Sequence, residues 1–133
     1  MGGLEHSRNN QVSELTTRLA PQITEDLTSF AESLKKRDLK TARAWLENKR
    51  QTLQTPNDFE KGFLLALNGM IASLESNQSF SLMKKILDGT PQEEVQQIYK
   101  DFKKRAEQRF RPALERGFDT AWAMILQHFL QAE

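Results

Sequence analysis

The apolar residues in the first third of the chain recur in steps of three and four. The members of this stripe are Val12, Leu15, Leu19, Ile23, Leu27, Phe30 and Leu34. Such spacing places all of them on one face of an α-helix. The stripe passes through Pro21 without losing phase. Either one long helix bends at Pro21, or a short helix ends and another begins with Pro21 in its first turn. The unbroken phase favours the bent helix.

Further helix starts are marked by residues that typically cap helices. Asp38 precedes apolar positions with helical spacing and is the expected N-cap of a helix that stops at Thr55. Segments 55–58 (Thr-Pro-Asn-Asp) and 90–93 (Thr-Pro-Gln-Glu) share the order of a capping box with proline in the first turn. Their separation is close to the period of about 34 residues in tetratricopeptide repeats. The residues that follow the two boxes differ, so we interpret the boxes as helix starts and not as repeat units.

The most apolar helix is predicted at about residues 57–75, and a helix that is apolar over most of its circumference belongs at the centre of a bundle. A short helix with Leu82 and Ile86 follows, and Gly89 is expected to end it as a left-handed C-cap. The next predicted helix carries its apolar face at Val95, Ile98, Phe102, Ala106 and Phe110.

The last predicted helix has its apolar face at Leu114, Phe118, Ala121, Ile125 and Phe129, and Pro112 before it again allows either a bend or a break. No segment alternates apolar and polar residues with a period of two, so we expect no sheet. The pattern predicts an all-α, compact single-domain bundle of five to seven helices over residues 11–133. Residues 1–10 are polar and glycine-led, which is typical of a flexible tail.

A short internal repeat relates the central and the last helix. Residues 60–63 read Glu-Lys-Gly-Phe, and residues 115–118 read Glu-Arg-Gly-Phe. Small residues also recur with helical spacing around the two glycines, which allows helix backbones to approach closely. The small residues expected at a helix crossing or interface are Gly62, Ala66, Gly69, Gly117 and Ala121.

Two arrangements are consistent with these small-residue stripes. The favoured one packs the two helices against each other within one bundle, and the other uses one stripe as a homodimer interface. A third interpretation of the repeat, duplication of a helical hairpin with a spacing of 55 residues, has little support in the flanking sequence.

Composition excludes several classes of function. The 133 residues carry a net charge of +1, 38% are hydrophobic and 28% are charged, which is ordinary for a soluble globular domain. The chain has no cysteine, so it has no disulfide, thiol nucleophile or thiolate metal site. No secretory signal is visible, and the longest apolar run, residues 63–67, is far shorter than a membrane helix. We therefore expect a cytoplasmic protein without a membrane partner.

Few residues suggest catalytic or metal chemistry. The chain has two histidines, His6 and His128, and neither belongs to a Glu-x-x-His pair of the kind that binds iron in helical bundles. Phosphate-binding glycine loops, zinc-protease motifs and nucleophile elbows are missing from the sequence. Glu60, Glu115 and Asp119 supply carboxylates, but acids near helix starts usually stabilise the helix dipole. We expect a non-enzymatic protein with no metal and no cofactor.

Two basic stretches provide an alternative function. Residues 35–50 and residues 100–111 carry net charges of +5 and +4. If both faced the same side, they would form a surface that binds phosphates. The phosphate contacts expected in the second stretch are Lys100, Lys103, Lys104, Arg105, Arg109 and Arg111. An exposed Trp45 would instead mark a contact with a protein partner.

The sequence therefore predicts a small helical module for protein–protein interaction or assembly, with a protein partner or a second copy in a homodimer. The alternative is a nucleic-acid-associated protein that uses the two basic faces.

Overall fold

A computed structural model describes residues 21–76 and 81–131 of the chain, and the side chains from residue 23 onward within those ranges. The helices, in chain order, are α1 (Pro21–Thr24), α2 (Leu27–Lys35), α3 (Leu39–Thr52), α4 (Asp58–Glu75), α5 (Leu82–Gly89), α6 (Gln92–Ala106) and α7 (Ala113–Gln131). Over the described ranges there is no β-strand. The predicted all-α bundle is confirmed, as one helical turn, α1, followed by six longer helices.

Four helices enclose the core. Helix α2 packs against α3 and α7, and α4 packs against α3 and α7, so that each of the four contacts two others. Helix α5 packs on α4, and α6 packs on α7 outside this group. Nine residues of α4 are buried, which places the most apolar helix at the centre, as the sequence predicts. The largest fully buried side chains include Phe30, Phe63, Leu67 and Leu126.

Within the described residues, the N-terminal stripe is interrupted at Asp26, five residues after Pro21. The predicted choice between a bend and a break at Pro21 involves residues outside the described ones. Helix α1 ends at Thr24, and Asp26 takes a left-handed conformation with φ of 62° before α2 begins. Aspartate tolerates this conformation better than most residues because its short polar side chain bonds locally. Ile23 and Leu27 on either side of the break are both buried, so the stripe keeps its face although the helix stops. Residues 1–20, including the predicted tail, lie outside the described residues.

Asp38 caps α3 as predicted. Its carboxylate accepts hydrogen bonds from the backbone N–H of Thr41 at 3.2 Å and from the Thr41 hydroxyl at 2.7 Å. The hydroxyl bond is the main reason that the pKa of Asp38 lies below its usual value. Gly89 ends α5 with φ of 131°, a conformation in which a residue with a Cβ atom would be strained.

The two predicted capping boxes are placed differently in the structure. The N-cap of α4 lies two residues later than the predicted Thr55: Asn57 accepts from the Glu60 N–H at 2.7 Å, while the Glu60 carboxylate accepts from the Asn57 N–H at 3.0 Å. At the second position, Thr90 donates its hydroxyl to the carbonyl of Lys85, so it closes α5 and does not cap α6. The carbonyl oxygen of an asparagine side chain is a strong N-cap acceptor, which explains the shift at Asn57.

Pro112 divides two helices and does not bend one. Helix α6 ends at Ala106, and α7 begins at Ala113. Phe110, which the sequence placed on the apolar face of α6, therefore lies in the connecting loop and is 85% exposed. Proline lacks the backbone N–H that a helix interior needs, so it disfavours one continuous helix through position 112.

Candidate interaction surface

The two repeat glycines lie at the crossing of α4 and α7. A Cβ atom added at Gly62 would overlap the carbonyl oxygen of Leu114 and lie 2.8 Å from its carbonyl carbon. A Cβ atom added at Gly117 would meet the carbonyl group of Phe59 in the same way, also 2.8 Å from the carbon. Each glycine therefore allows one backbone to lie against the other, as small-residue helix crossings do. Ala66 and Ala121 are buried close to this crossing.

The remaining small residue of the stripe, Gly69, is not part of the crossing. It is exposed, and nothing lies within 4 Å of where its Cβ would be. It faces a groove of about 210 Å³ that Phe118 and Trp122 also line. The expectation that Gly69 sets the helix crossing is therefore wrong, because no backbone of α7 lies against the position that its Cβ would take. Gly62 and Gly117 are each buried against the other helix, so neither glycine is itself accessible to a second copy.

The first basic stretch begins beside the first turn of α6. Lys35, at the start of the first stretch, lines a groove with Gln92 and Val95 at the beginning of α6. That first turn of α6 carries the acidic residues Glu93 and Glu94. Lys104 lies nine positions after Val95, about 14 Å along the helix at a rise of 1.5 Å per residue. Lys35 of the first stretch therefore borders an acidic turn and is separated from Lys104 by much of α6.

Much of the basic charge also has a partner within the chain. In the first stretch, Arg37 pairs with Asp88, and Arg43 donates to Asn68 at 2.6 Å and to Glu75 at 2.8 Å. The hydrogen bond from Lys84 is the main cause of the lowered pKa of Asp88, and the hydrogen bond from Arg37 is the next largest cause. These exposed pairs partly neutralise the basic charge of the first stretch.

The second stretch is similarly engaged. Lys103 pairs with Glu107 at 3.1 Å. Arg105 stacks 4.7 Å from the centre of the Phe102 ring and lies 3.8 Å from a carboxylate oxygen of Asp119. Lys100 and Lys104 are exposed. Arg109 is exposed as well, and it interacts with another group of the protein. These three are the exposed members of the six predicted phosphate contacts.

Arg111 anchors the loop between α6 and α7. Its guanidinium group donates to the carboxylate of Asp119 and, at 3.0 Å, to that of Glu115. The side chain of Asp119 is 7% exposed and that of Arg111 is 20% exposed, so the pair is largely shielded from water. The hydrogen bond to Asp119 is the main cause of the raised pKa of Arg111. Arg116 also donates from Nε to the carbonyl of Ala106 at 2.9 Å, which ties the end of α6 to α7.

The side chain of Phe110 projects into solvent from this anchored loop. Its neighbour Arg111 is held by two acids, and the Arg111 N–H donates to the carbonyl of Gln108 at 3.1 Å. Leu114, one turn further along, is 40% exposed. We call Phe110 and Leu114 the Phe110 surface. This surface was not predicted, because the apolar spacing assigned Phe110 to the face of a helix. Pro112, two residues later, was the signal that could have placed it in a loop.

Trp45 is not the exposed partner contact considered above. Its ring lies 5.0 Å from that of Phe30 and packs against the core, and the ammonium group of Lys49 lies 5.3 Å from its centre. The indole N–H is buried and makes no hydrogen bond in the described structure. Trp45 therefore contributes to the packing of α3 on α2.

The carboxylates considered for catalysis have structural partners. Glu60 completes the capping box of α4, while Glu115 and Asp119 bind Arg111. His128 lies 3.4 Å from the hydroxyl of Thr28, and burial lowers the pKa of its imidazole. Within residues 21–76 and 81–131, no three acidic, histidine or cysteine residues are grouped as metal ligands.

Comparison with known proteins adds no family to this description. No protein-family model, curated protein or solved structure matches the chain. Among the described helices, none is both long enough and apolar enough to cross a membrane.

Proposed function

We propose that this chain is a non-enzymatic protein–protein interaction module that assembles with a second copy of itself through the Phe110 surface. The observation that carries the proposal is the exposure of Phe110, 85% of which faces solvent on a loop that Arg111 fixes to α7. A large aromatic ring held out on an anchored loop is typical of the residues that dominate protein interfaces. Leu114, four residues later in the first turn of α7, is a second exposed apolar side chain.

A second copy suits this surface because a two-fold interface needs only one self-complementary patch. The loop also carries charges of both signs. The side chain of Glu115 is 53% exposed next to Arg111, so opposite charges are available at the rim of the patch. Stable interfaces bury about 1,200–2,000 Å² in total, and two apolar side chains form only the centre of such an area. We therefore expect a weak dimer.

The proposal is tested by sedimentation velocity of the full chain over a concentration range from about 1 to 500 µM, wide enough to detect weak association. We expect the wild-type chain to shift from monomer to dimer as concentration rises. The Phe110→Ser variant should stay monomeric with an unchanged melting temperature, since the ring makes little contact with its own chain. Wild-type chain that remains monomeric at the highest concentration would overturn the proposal.

A matched control separates this surface from the basic stretches. Lys100→Glu with Lys104→Glu changes exposed residues of the neighbouring helix and should leave the dimer intact. The same variant tests the alternative function, because nucleic-acid binding through phosphates weakens steeply with salt and with loss of lysines. Salt-sensitive binding of a single-stranded oligonucleotide by the wild type, lost in this variant, would support the alternative.

A further inference from the structure

A second apolar feature lies at the end of the bundle where α3 ends and α4 begins. Leu53, Pro56, Leu64 and Leu65 line a groove of about 290 Å³, with Arg50 and Lys61 at its edge. Leu65 is 50% exposed. We call this feature the Leu65 groove.

The topology places the start of the described chain at the same end of the bundle. Helices α2 and α3 pack together and are joined by the short connection 36–38, so they run antiparallel. The residues that precede α2 therefore lie toward the end of α3, where Leu53 borders the groove. Helix α1 packs on α3, in agreement with this placement. Pro21, the first described residue, therefore lies toward the same end of the bundle as the Leu65 groove.

The sequence before Pro21 contains apolar residues with helical spacing, which would be stabilised by burial. Val12, Leu15 and Leu19 continue the spacing of Ile23 and Leu27, and both of the latter are buried in the core. Ten residues in helical conformation extend about 15 Å, enough to reach across a groove of this size. Burying three aliphatic side chains stabilises a segment substantially.

We propose that residues 11–20, which lie outside the described part of the chain, occupy the Leu65 groove of their own chain with the Val12, Leu15 and Leu19 face. This contact is separate from the Phe110 surface and does not depend on it. The other conceivable occupants, the same segment of a second copy or a different protein, are distinguished by the test.

The absence of cysteine makes disulfide trapping a clean test. In the full chain, Leu65→Cys is combined in turn with Val12→Cys, Leu15→Cys and Leu19→Cys. The matched control combines Leu65→Cys with Thr17→Cys, because position 17 lies on the opposite side of a helix from the stripe. A disulfide requires Cα atoms about 4.4–6.8 Å apart. Mild oxidation should therefore cross-link at least one stripe pair within the chain, at least tenfold faster than the control.

Mixing experiments identify the source of the segment. Chains with Leu15→Cys alone, mixed with chains carrying Leu65→Cys alone, should give no cross-linked dimer above the level of the Thr17→Cys mixture. Cross-linking only in the mixture would overturn the proposal and assign the groove to a second copy. Equal or absent cross-linking in the stripe and control pairs would overturn it as well, and would leave the groove to a different partner.

Discussion

Gly62 and Gly117 make the same contact from opposite sides of one helix crossing. Gly62 lies against the carbonyl group of Leu114, and Gly117 lies against that of Phe59. In each helix the contacted carbonyl is three residues before the glycine. Helices α4 and α7 begin at positions 58 and 113, with the same separation as the glycines. The crossing is therefore a reciprocal pair, with a Cα hydrogen of each glycine facing a carbonyl oxygen of the other helix.

This relationship bears on the origin of the internal repeat. Two helical hairpins, α3 with α4 and α6 with α7, are separated in the chain by α5. Their second helices, α4 and α7, pack against each other at the glycines. A duplicated hairpin packed about a local two-fold axis would have this arrangement. The Glu-Lys-Gly-Phe and Glu-Arg-Gly-Phe segments then mark equivalent positions, while the first helices of the hairpins have diverged in sequence.

The crossing predicts opposite effects for two glycine substitutions. Gly62→Ala should lower the free energy of unfolding by about 1–3 kcal/mol, because the new methyl group meets backbone atoms that cannot move away cheaply. Gly69→Ala should raise it by up to about 1 kcal/mol, because its Cβ enters open space and alanine favours the helix. Urea denaturation measures both. A Gly62→Ala protein as stable as the wild type would show that the crossing is looser than described.

The pair of Arg111 and Asp119 predicts non-additive stability changes. Arg111→Met should destabilise the protein by about 2 kcal/mol, because it leaves the shielded carboxylate of Asp119 with only the longer contact to Arg105. Adding Asp119→Leu removes the uncompensated charge and should recover part of the loss. Thermal and urea denaturation of the two single variants and the double variant form the test. Strictly additive losses would contradict a direct coupling between these two residues.

His128 predicts a loss of stability below neutral pH. Burial lowers the pKa of its imidazole in the folded state, an effect that Glu32 on the facing helix partly opposes. The unfolded state takes up a proton at a pKa of about 6.5, before the folded state does. The contribution of neutral His128 is therefore complete above pH 6.5 and is lost as pH falls through the folded pKa.

The measurement for His128 is the melting temperature at about pH 7.5 and pH 5.5, on either side of the ordinary histidine pKa. His128→Gln should reduce the difference between the two temperatures. His6→Gln, the matched control at the other histidine of the chain, should leave the difference unchanged. The same slope in the wild type and in both variants would assign the pH dependence to carboxylates.

Trp45 predicts a nearly neutral substitution. Trp45→Phe removes a buried N–H that has no hydrogen-bond partner in the described structure, and this gain offsets the loss of ring area against Phe30. We expect a change within about 1 kcal/mol. Trp122→Phe should cost more, because the Trp122 ring stacks on Phe102 at 5.1 Å. Each variant keeps one tryptophan, whose fluorescence follows unfolding. Equal losses would show that the two rings contribute alike.

Several features of the fold could be predicted from residues close together in sequence. The apolar spacing identified the helices and the central position of α4, and Asp38 and Gly89 marked helix ends through their own backbone and side-chain chemistry. Glycines recurring in similar segments indicated a close approach of two backbones. These predictions depend on local geometry and on the helical period, which the order of residues determines directly.

Other features depended on the three-dimensional packing. Only the packing of α7 on α4 shows that Gly69, unlike Gly62, has no backbone close to it, and only the fold places Trp45 against Phe30. The Phe110 surface exists because Arg111 pairs with Asp119 and holds the loop in place, and no spacing rule links those residues. Local sequence determines which segments become helices and which face of each is apolar. The pairing of those faces, and the side chains left exposed, are decided by contacts between residues far apart in the chain.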